Sequence, residues 1–598
     1  MKKNYLLVGV VLICITLTSC NKKNASSNRI WYSYSTENLL SDFDYFDGED
    51  SDLYANRDNT LRFSCLKNEN EGTQLMITAS KYINSFDFEL SDVTGSSGTI
   101  SKDNFTVAAA YYMNIDFSNE KTAYSGYYPD ALIPLSNFKF RRMNYIDKGR
   151  SQSLYINLKT TKDTASGEYK GTGKLHLDDE IIDIPIEVKV YDAVLPDAVH
   201  QNSAFGLWYD QIIKGEKDNS GSQMDVAYYN FLVDKRISPR ELPPSLTTGS
   251  TLSESFDLFV ENFVEIVVKN ERIASLRLPI DGYNFSEITV KEILQKLINK
   301  NLELRNNGYN QINLFEKAFF YIDDEPFSPV FDLVRHHDKV IFDTKKELRN
   351  QLASYPDLYE SFNKIPNVVT REFISEMVAD NDHGGIQTWC PLISFFQTEE
   401  NREIYRQRQA SSDRDCGEHV WWYTCCDPVS PYPNFHLDSS VMLPRVFRYM
   451  QYDYNIEAQI FWSTNYYSKY SRGDTLPRDI WTDPISWQLC AGDGQLLYPG
   501  YSFGINGPIT TLRLENILAS NEEYEYLWMI DQKVQEYNSS HSANYVTNEL
   551  LNKYYSRLFN GVIVDLDTDN FESVRLELLN VIESLYSNID KGMSLLMK

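Results

Sequence analysis

The chain has 598 residues, 42% hydrophobic, 24% charged and 14% aromatic, which predicts a folded protein of two or three domains and excludes a disordered one. Its net charge of −27 at pH 7 repels polyanions and argues against nucleic acid and anionic lipid headgroups as partners. Most of its 41 Tyr, 31 Phe and 9 Trp belong in a core, with some rings left for a binding cleft.

The N-terminus has the order of an export signal. The basic stretch MKKNY precedes LLVGVVLICITL, an apolar run too short to span a bilayer. The following LTSC resembles a bacterial lipoprotein cleavage box, which implies removal of residues 1–19 and acylation of the Cys20 thiol. We expect residues 20–30 to be a polar tether. We also expect a cell-envelope location, on the outer membrane or facing the periplasm, with membrane contact only through the lipid. An uncleaved anchor helix is the alternative.

Cysteine usage in the remaining chain favours disulfides or buried thiols over a metal site. An exported chain meets oxidising conditions, and the cysteines lack the C-x2-C pairs of structural zinc sites. Four of them lie close together in the sequence, at Cys390, Cys416, Cys425 and Cys426.

Residues 31–197 are predicted to be all-β. In IIDIPIEVKV, residues 181–190, apolar and polar side chains alternate with the period of a strand that buries one face. The same alternation recurs at Leu154, Ile156 and Leu158, and polar turn sequences separate such segments. Two antiparallel sheets packed as a β-sandwich are the expected architecture.

Residues 198–598 are predicted to alternate strands with helices. Thr251 and Glu254 form a capping box before one amphipathic helix, and a second helix starts near residue 289. Such alternation predicts a parallel sheet, and the length of the region suits a (β/α)8 TIM-type barrel with C-terminal helices on its outside. The predicted strands are SLRLPI, KAFFYI, IQTWCPLI, EHVWWYTC and AQIFWS, and further helices are predicted at 398–410, 440–452 and 510–536.

Three consecutive acids, residues 323–325, follow the strand KAFFYI and precede Pro326. Catalytic residues of parallel barrels lie at the C-terminal ends of strands, although an acidic loop or a helix N-terminus would also accept such residues. If the strand continued, Tyr321, Asp323 and Glu325 would share one face and Asp324 the other. Adjacent carboxylates are poorly placed to straddle a glycosidic bond. They suit an acid paired with a group that supports a nucleophile from the substrate, such as a 2-acetamido carbonyl.

Several motifs, taken in order, resemble glycoside hydrolase family 123 and cover most of residues 31–540. They are DEP at 324–326, WWYTCCDP at 421–428, IFWSTNYY at 460–467, GDGQLLYPG at 492–500 and TTLRLENILASNEEYEYL at 510–527, with YPDALIPL at 128–135 in the N-terminal part. The resemblance implies a β-sandwich before a (β/α)8 barrel. It also implies hydrolysis of β-linked N-acetylgalactosamine, or a related 2-acetamido sugar, without a metal or organic cofactor.

Carried over by motif, Asp324 holds the acetamido group and Glu325 is the general acid and base of a retaining reaction through an oxazolinium ion. The charge of Asp324 is expected to raise the pKa of Glu325. Asp323 receives no role. Further expected substrate contacts, each with core or loop packing as its alternative, are Trp422, Tyr423, Asn434, Trp462, Tyr466, Asp493 and Tyr498.

Two other functions remain open at this stage. The first is a glycan-binding surface lipoprotein without activity, and the second is a glycosidase of different sugar specificity that pairs one acid of the triplet with a distant carboxylate. Fold alone does not choose among these, but the presence of both Asp324 and Glu325 favours the enzyme.

Overall fold

The computed structural model describes residues 27–46, 54, 56–117, 120, 124–217, 223–414 and 416–598. The predicted signal peptide, Cys20 and most of the predicted tether lie outside the described residues. Within these ranges, no helix combines the length and the apolar character that a membrane span requires.

The N-terminal region is built from two sheets that enclose an apolar core. The sheets have the orders β1-β3-β9-β7-β8 and β2-β11-β10-β5-β6, with β4 paired to β10. The elements are β1 (Arg29–Tyr34), β2 (Leu61–Lys67), β3 (Asn70–Thr78), β4 (Phe86–Leu90), β5 (Val93–Gly95), β6 (Gly98–Ile100), β7 (Phe105–Ile115), β8 (Gly126–Pro134), α1 (Leu135–Phe140), β9 (Ser151–Lys159), β10 (Gly167–Leu177) and β11 (Glu180–Val194).

The predicted alternation is confirmed in β9 and β11, where the apolar series is buried from Leu154 to Leu158 and from Ile184 to Val190. The expectation of purely antiparallel sheets is wrong for one pair, because β11 runs parallel to β2 with Ile186 opposite Leu61. These two strands are separated by most of the region, so no hairpin forces them to run in opposite directions.

The second region contains a nearly closed sheet of parallel strands in the order β12-β18-β17-β16-β15-β14-β13. Its strands are β12 (Asn202–Phe205), β13 (Leu276–Arg277), β14 (Ala318–Asp323), β15 (Asn367–Val369), β16 (Thr388–Trp389), β17 (His419–Thr424) and β18 (Ala458–Phe461). Its helices are α2 (Tyr209–Glu216), α3 (Met224–Asp234), α4 (Pro244–Thr247), α5 (Leu252–Asn262), α6 (Glu287–Asn306), α7 (Phe331–Leu348), α8 (Pro356–Asn363), α9 (Glu399–Gln409) and α10 (Met442–Asp453).

Residues 238–240 lie in the gap between the two edge strands. The Phe205 N–H donates to the Ser238 carbonyl at 3.0 Å, the Arg240 N–H to the Phe205 carbonyl at 2.8 Å, and the Arg277 N–H to the Arg240 carbonyl at 3.1 Å. The inside of the barrel is packed with side chains rather than open, as in other small barrels. These are Ala204, Phe319, Tyr321, Val368, Cys390, Trp421, Ala458 and Ile460.

The remaining elements follow the barrel. They are β19 (Lys469–Ser471), β20 (Asp474–Leu476), β21 (Ile485–Trp487), β22 (Cys490–Ala491), β23 (Tyr498–Pro499), β24 (Pro508–Ile509), α11 (Leu512–His541), α12 (Thr547–Leu558), β25 (Phe559–Asn560), β26 (Ile563–Val564), α13 (Thr568–Ser587) and α14 (Ile589–Leu596). Helix α13 also reaches the sandwich, where Arg575 Nη2 donates to the Ser64 carbonyl at 2.6 Å. The C-terminal helices therefore do more than cover the barrel's outside.

A buried ion pair joins the two regions. Arg513 of α11 donates from Nε and Nη2 to the two carboxylate oxygens of Asp130 in β8, each at 2.8 Å. The Tyr498 hydroxyl donates to the same carboxylate at 2.8 Å, and the Leu132 N–H donates to the Thr510 carbonyl at 2.9 Å. The sequences around residues 130 and 513 thus fix the sandwich against the barrel.

Candidate active site

The acidic triplet begins at the end of β14 and then leaves the strand. Strand β14 ends at Asp323, and Glu325 has a φ of 43°, in the left-handed region that non-glycine residues seldom occupy. The Glu325 N–H donates to Thr370 Oγ1 at 2.7 Å, which holds this turn against the loop after β15. The expected shared face of Tyr321, Asp323 and Glu325 is therefore wrong, because strand alternation stops before Glu325.

Asp324 is exposed and is held by two neutral hydroxyls. The Tyr321 hydroxyl donates to Asp324 Oδ1 at 2.6 Å, and Thr370 Oγ1 donates to the same oxygen at 2.8 Å. The Arg240 guanidinium lies 5.4 Å from the centre of the Tyr321 ring, within cation–π range. The hydroxyls of Tyr321 and Thr370 thus orient the Asp324 carboxylate, while the Asp324 side chain is exposed to solvent.

Glu325 is exposed beside Asp324, and one hydroxyl orients it. The Tyr423 hydroxyl, at the end of β17, donates to Glu325 Oε1 at 2.6 Å. Burial raises the pKa of Glu325, the charge of Asp324 raises it further, and the hydrogen bond from Tyr423 opposes both effects. A raised pKa keeps a carboxyl group protonated closer to neutral pH, which a proton donor requires.

Asp323 has a supporting position that its sequence context did not reveal. Its two carboxylate oxygens lie 3.0 and 3.1 Å from His337 Nδ1 on α7. The Phe285 ring, from the loop after β13, is 4.2 Å from the His337 ring. Asp323 therefore joins the end of β14 to the following helix.

An aromatic cluster lies at the end of β18. Trp462 packs against Tyr466 at 5.1 Å and Trp487 at 4.9 Å, and its Nε1 lies 3.1 and 3.2 Å from the Asp493 carboxylate oxygens. Trp208, which follows β12, contacts Trp462 edge-on at 5.9 Å. Sequence reasoning selected Trp462 and Tyr466 but missed Trp208 and Trp487, which lie outside the motifs that carried the resemblance.

Three of the predicted substrate-contact residues have side chains that are buried in this structure. Trp422 is 0% exposed and packs against Phe396 and Phe447 at 5.4 and 5.2 Å, on the helix side of β17. Tyr498 is 1% exposed at the interface with the sandwich. Asn434 is 0% exposed, and its Oδ1 accepts from the His436 N–H at 3.0 Å within its own loop.

Asp493 is also fully buried, and its carboxylate contacts the aromatic cluster through Trp462. Burial raises the pKa of Asp493 to about 6, although the charge of His436 opposes this. Trp462 Nε1 donates a hydrogen bond to this carboxylate, which fixes the orientation of the indole ring. The predicted direct contact of Asp493 with a sugar hydroxyl stays a prediction, and in this structure its carboxylate is not exposed.

Among the described cysteines, Cys65, Cys390, Cys416 and Cys490 are buried, as the buried-thiol alternative expects, whereas Cys425 and Cys426 are half-buried. Within the described ranges, no group of three His, Cys, Asp or Glu side chains has the arrangement to hold a metal ion. The Cys416 sulfur has a contact of its own, because Gln387 Nε2 donates to it at 2.9 Å.

The sequence and the fold are both similar to those of known glycoside hydrolases. Residues 288–530 match the model of the glycoside hydrolase 123 catalytic domain. The fold is similar to that of a family 123 glycoside hydrolase from Clostridium perfringens, studied for glycolipid glycan hydrolysis. The TM-score is 0.62 at 13% identity, over 95% of this chain and 99% of that one. A β-glucuronidase from Parabacteroides merdae matches with a TM-score of only 0.22 at 8% identity, over 66% of this chain and 45% of that one. No curated protein matches the sequence.

A β-rich N-terminal region, a barrel-like parallel sheet and a matching catalytic domain define the chain as a glycoside hydrolase. Residues 288–530, which include the acidic triplet, match the catalytic domain of glycoside hydrolase family 123.

Proposed function

We propose that the enzyme hydrolyses β-linked N-acetylgalactosamine, or a related 2-acetamido sugar, by substrate-assisted retaining catalysis. The observation that carries this proposal is the adjacency of two accessible carboxyl groups in different environments. Asp324 accepts hydrogen bonds from two hydroxyls, whereas Glu325 has one hydroxyl partner and a raised pKa. Two groups so close together suit one side of a sugar better than opposite sides of a glycosidic bond.

In the first step, Glu325 donates its proton to the leaving glycosidic oxygen while the acetamido carbonyl oxygen attacks the anomeric carbon. The C–O bond to the leaving group breaks and an oxazolinium ion forms. Asp324 accepts the acetamido N–H and stabilises the positive charge that develops on the ring. In the second step, the Glu325 carboxylate removes a proton from water, which attacks the anomeric carbon and reopens the ring.

The hydroxyl and aromatic groups around the carboxylates are assigned supporting roles. Tyr321 and Thr370 fix Asp324 in the orientation that receives the N–H. Tyr423 fixes Glu325, and its hydroxyl lies where it could also reach the acetamido group. Trp208, Trp462 and Trp487 offer aromatic faces for the apolar side of a pyranose ring. The Tyr466 side chain is buried at 3% exposure and packs behind Trp208 and Trp462.

The natural substrate is proposed to be a glycan or a glycolipid, with no nucleic acid partner. The similar Clostridium perfringens enzyme was studied for glycolipid glycan hydrolysis, and the charge of −27 on this chain disfavours polyanions.

Two aryl glycosides test the proposed function. The enzyme should release the aryl alcohol from a 2-acetamido-2-deoxy-β-galactoside and leave the matching β-galactoside, which lacks the acetamido group, essentially uncut. Equal cleavage of both would assign a glycosidase of another specificity and mechanism. Saturable binding of the acetamido sugar without turnover would assign a glycan-binding protein.

Architecture and location complete the proposal. We take residues 238–240 as the eighth strand of a (β/α)8 barrel, with domains at 31–197 and 198–598. We also propose export, removal of residues 1–19 and lipid attachment at Cys20, supported by the LTSC sequence. Mass spectrometry of the N-terminal peptide from the natural host should find acylated Cys20, and an intact Met1–Ser19 segment would contradict export with lipidation.

A further inference from the structure

Three cysteine side chains meet beside the active site. Cys425 and Cys426 are the first two residues after β17, the strand that carries Tyr423. Cys490 is the first residue of β22. The Cys426 side chain contacts the side chains of both Cys425 and Cys490. The Cys490 thiol also donates to the Cys426 carbonyl oxygen at 3.5 Å. Cys425 and Cys426 are half-buried, so a small reagent can reach them, whereas Cys490 is buried.

The imidazole of His436 lies next to these thiols. His436 Nε2 is 2.9 Å from the Cys425 carbonyl oxygen, and His436 Nδ1 bonds to Glu120. Burial opposes the charged imidazole, but the bond with Glu120 and nearby carboxylates raise the pKa of His436 to about 9. Hydrogen bonds from Cys425 and Cys490 lower the pKa of Cys426, and the His436 charge lowers it further. Cys426 is therefore the thiol best suited to be a nucleophilic thiolate.

We propose that Cys426 and Cys490 are a redox-reactive pair that forms a disulfide when a low-molecular-weight disulfide is the oxidant. The Cys426 thiolate attacks one sulfur of the oxidant, forms a mixed disulfide and releases one thiolate. The Cys490 thiol loses its proton and attacks the Cys426 sulfur, which releases the second thiolate. Two protein thiols are oxidised, one small disulfide is reduced to two thiols, and one S–S bond joins the protein.

Geometry selects this pair over the adjacent one. Consecutive Cα atoms across a trans peptide are about 3.8 Å apart, closer than the roughly 4.4–6.8 Å that disulfides usually span. The Cys425–Cys426 pair would need a strained ring, whereas Cys426 and Cys490 approach from different segments of the chain. Outside this cluster of three, Cys65 is in the sandwich core, Cys390 is inside the barrel, and the Cys416 sulfur accepts from Gln387 Nε2.

The bond would cross-link two segments at the mouth of the site. Cys426 lies on the loop beyond Tyr423, the donor to Glu325. Cys490 ends a tight turn that follows Trp487, in which Gln488 and Leu489 have φ values of 45° and 92°. Such angles are unfavourable for non-glycine residues, and a cross-link that restricts the unfolded chain should stabilise the protein. This inference does not depend on which sugar the enzyme cleaves.

The test is oxidation of the purified, fully reduced protein with oxidised glutathione, followed by alkylation, intact mass measurement and peptide mapping under non-reducing conditions. We expect two fewer alkylated thiols, a cross-linked peptide pair containing Cys426 and Cys490, and a melting temperature higher by about 2–4 °C. Cys425→Ser should leave the cross-link intact, and Cys65→Ser is a control remote from the cluster.

Mapping on the wild-type protein keeps the proposal testable even if a cysteine variant folds poorly. A Cys425–Cys426 bond, a stable glutathione adduct on Cys426 without closure onto Cys490, or an unchanged thiol count would each overturn it. Cys426→Ser and Cys490→Ser should each abolish the cross-link. A cross-link that persists in either variant would also overturn the proposal.

Discussion

Carboxylates at the end of β14 and at the junction between the two regions have opposite surroundings. Asp324 and Glu325 are exposed and accept hydrogen bonds from the neutral hydroxyls of Tyr321, Thr370 and Tyr423. Asp130 is 0% exposed and is paired in two places with the Arg513 guanidinium. The comparison separates carboxylates that can exchange protons and meet a ligand from those that hold the fold together.

The same distinction extends along the C-terminal helices. Glu523 of α11 lies between the guanidinium groups of Arg445 and Arg575, with Arg445 Nε 3.1 Å from its oxygens. Removing either partner of such a buried pair leaves an uncompensated buried charge, so these carboxylates hold the fold together. A general acid needs the reverse, a carboxyl whose proton can leave and return, and hydroxyl partners allow that.

The largest expected effect comes from Glu325→Gln, which removes the proton donor but keeps the shape of the side chain. The rate on an aryl 2-acetamido-2-deoxy-β-galactoside with a poor leaving group should fall about ten thousandfold. Steady-state kinetics measures this loss, and an unchanged melting temperature would confirm that the fold is intact. Asp332→Asn is the matched control, since Asp332 lies on α7 with its side chain 98% exposed. Activity within tenfold of wild type would remove Glu325 from the mechanism.

Asp130→Ala should act on stability instead of chemistry. It leaves the Arg513 charge buried and unpaired, so the free energy of unfolding should fall by about 3–5 kcal/mol. Chemical denaturation measures this loss, and the turnover number of the remaining folded enzyme should stay close to that of wild type. Asp474→Ala, at an exposed position on β20, is the control. A large drop in turnover with unchanged stability would mean that Asp130 contributes to the chemistry and not to the stability of the fold.

Asp324→Asn should weaken the step in which the acetamido group attacks. The neutral amide still occupies the space but no longer stabilises the positive charge on the oxazolinium ring, so kcat should fall about a hundredfold to a thousandfold. Tyr321→Phe, which removes only one donor to Asp324, should cost less. If Tyr321→Phe were the more damaging change, the charge on Asp324 would not be its main contribution.

Tyr423→Phe gives the smallest effect and tests the pKa argument. The Tyr423 hydroxyl stabilises the Glu325 carboxylate, so its removal raises the pKa of Glu325 further. Because the protonated form is the active acid in the first step, the alkaline limb of the kcat/KM profile should move to higher pH. A shift to lower pH would mean that Glu325 does not govern this limb.

Sequence patterns predicted strands correctly where long segments bury one face. They did not reveal short strands or the direction in which individual side chains point. The alternation in β11 located a sandwich strand, but β12 and β15 span only four and three residues and show too little pattern to detect. The residues WWY of β17 are all large and aromatic, and a barrel strand has apolar surroundings on both faces. Periodicity could not say that Trp422 faces the helices while Tyr423 faces the carboxylates.

The acidic triplet illustrates the same limit at the site itself. Its position at a strand end was readable from the sequence, whereas the separate roles of Asp324 and Glu325 stay a prediction. The left-handed φ of Glu325, the bond between its N–H and Thr370, and the pairing of Asp323 with His337 depend on contacts with later segments of the chain. The Asp130–Arg513 pair joins residues 383 positions apart, and no local pattern connects them.

The most direct test of the central claim is the rate on a series of aryl β-galactosides whose 2-acetamido group carries none, one or three fluorine atoms. Fluorine withdraws electron density from the carbonyl oxygen, so kcat should fall steeply along the series if that oxygen is the nucleophile. A kcat that stays nearly constant would mean that a protein carboxylate or a water attacks the anomeric carbon, and would contradict substrate-assisted catalysis by Asp324 and Glu325.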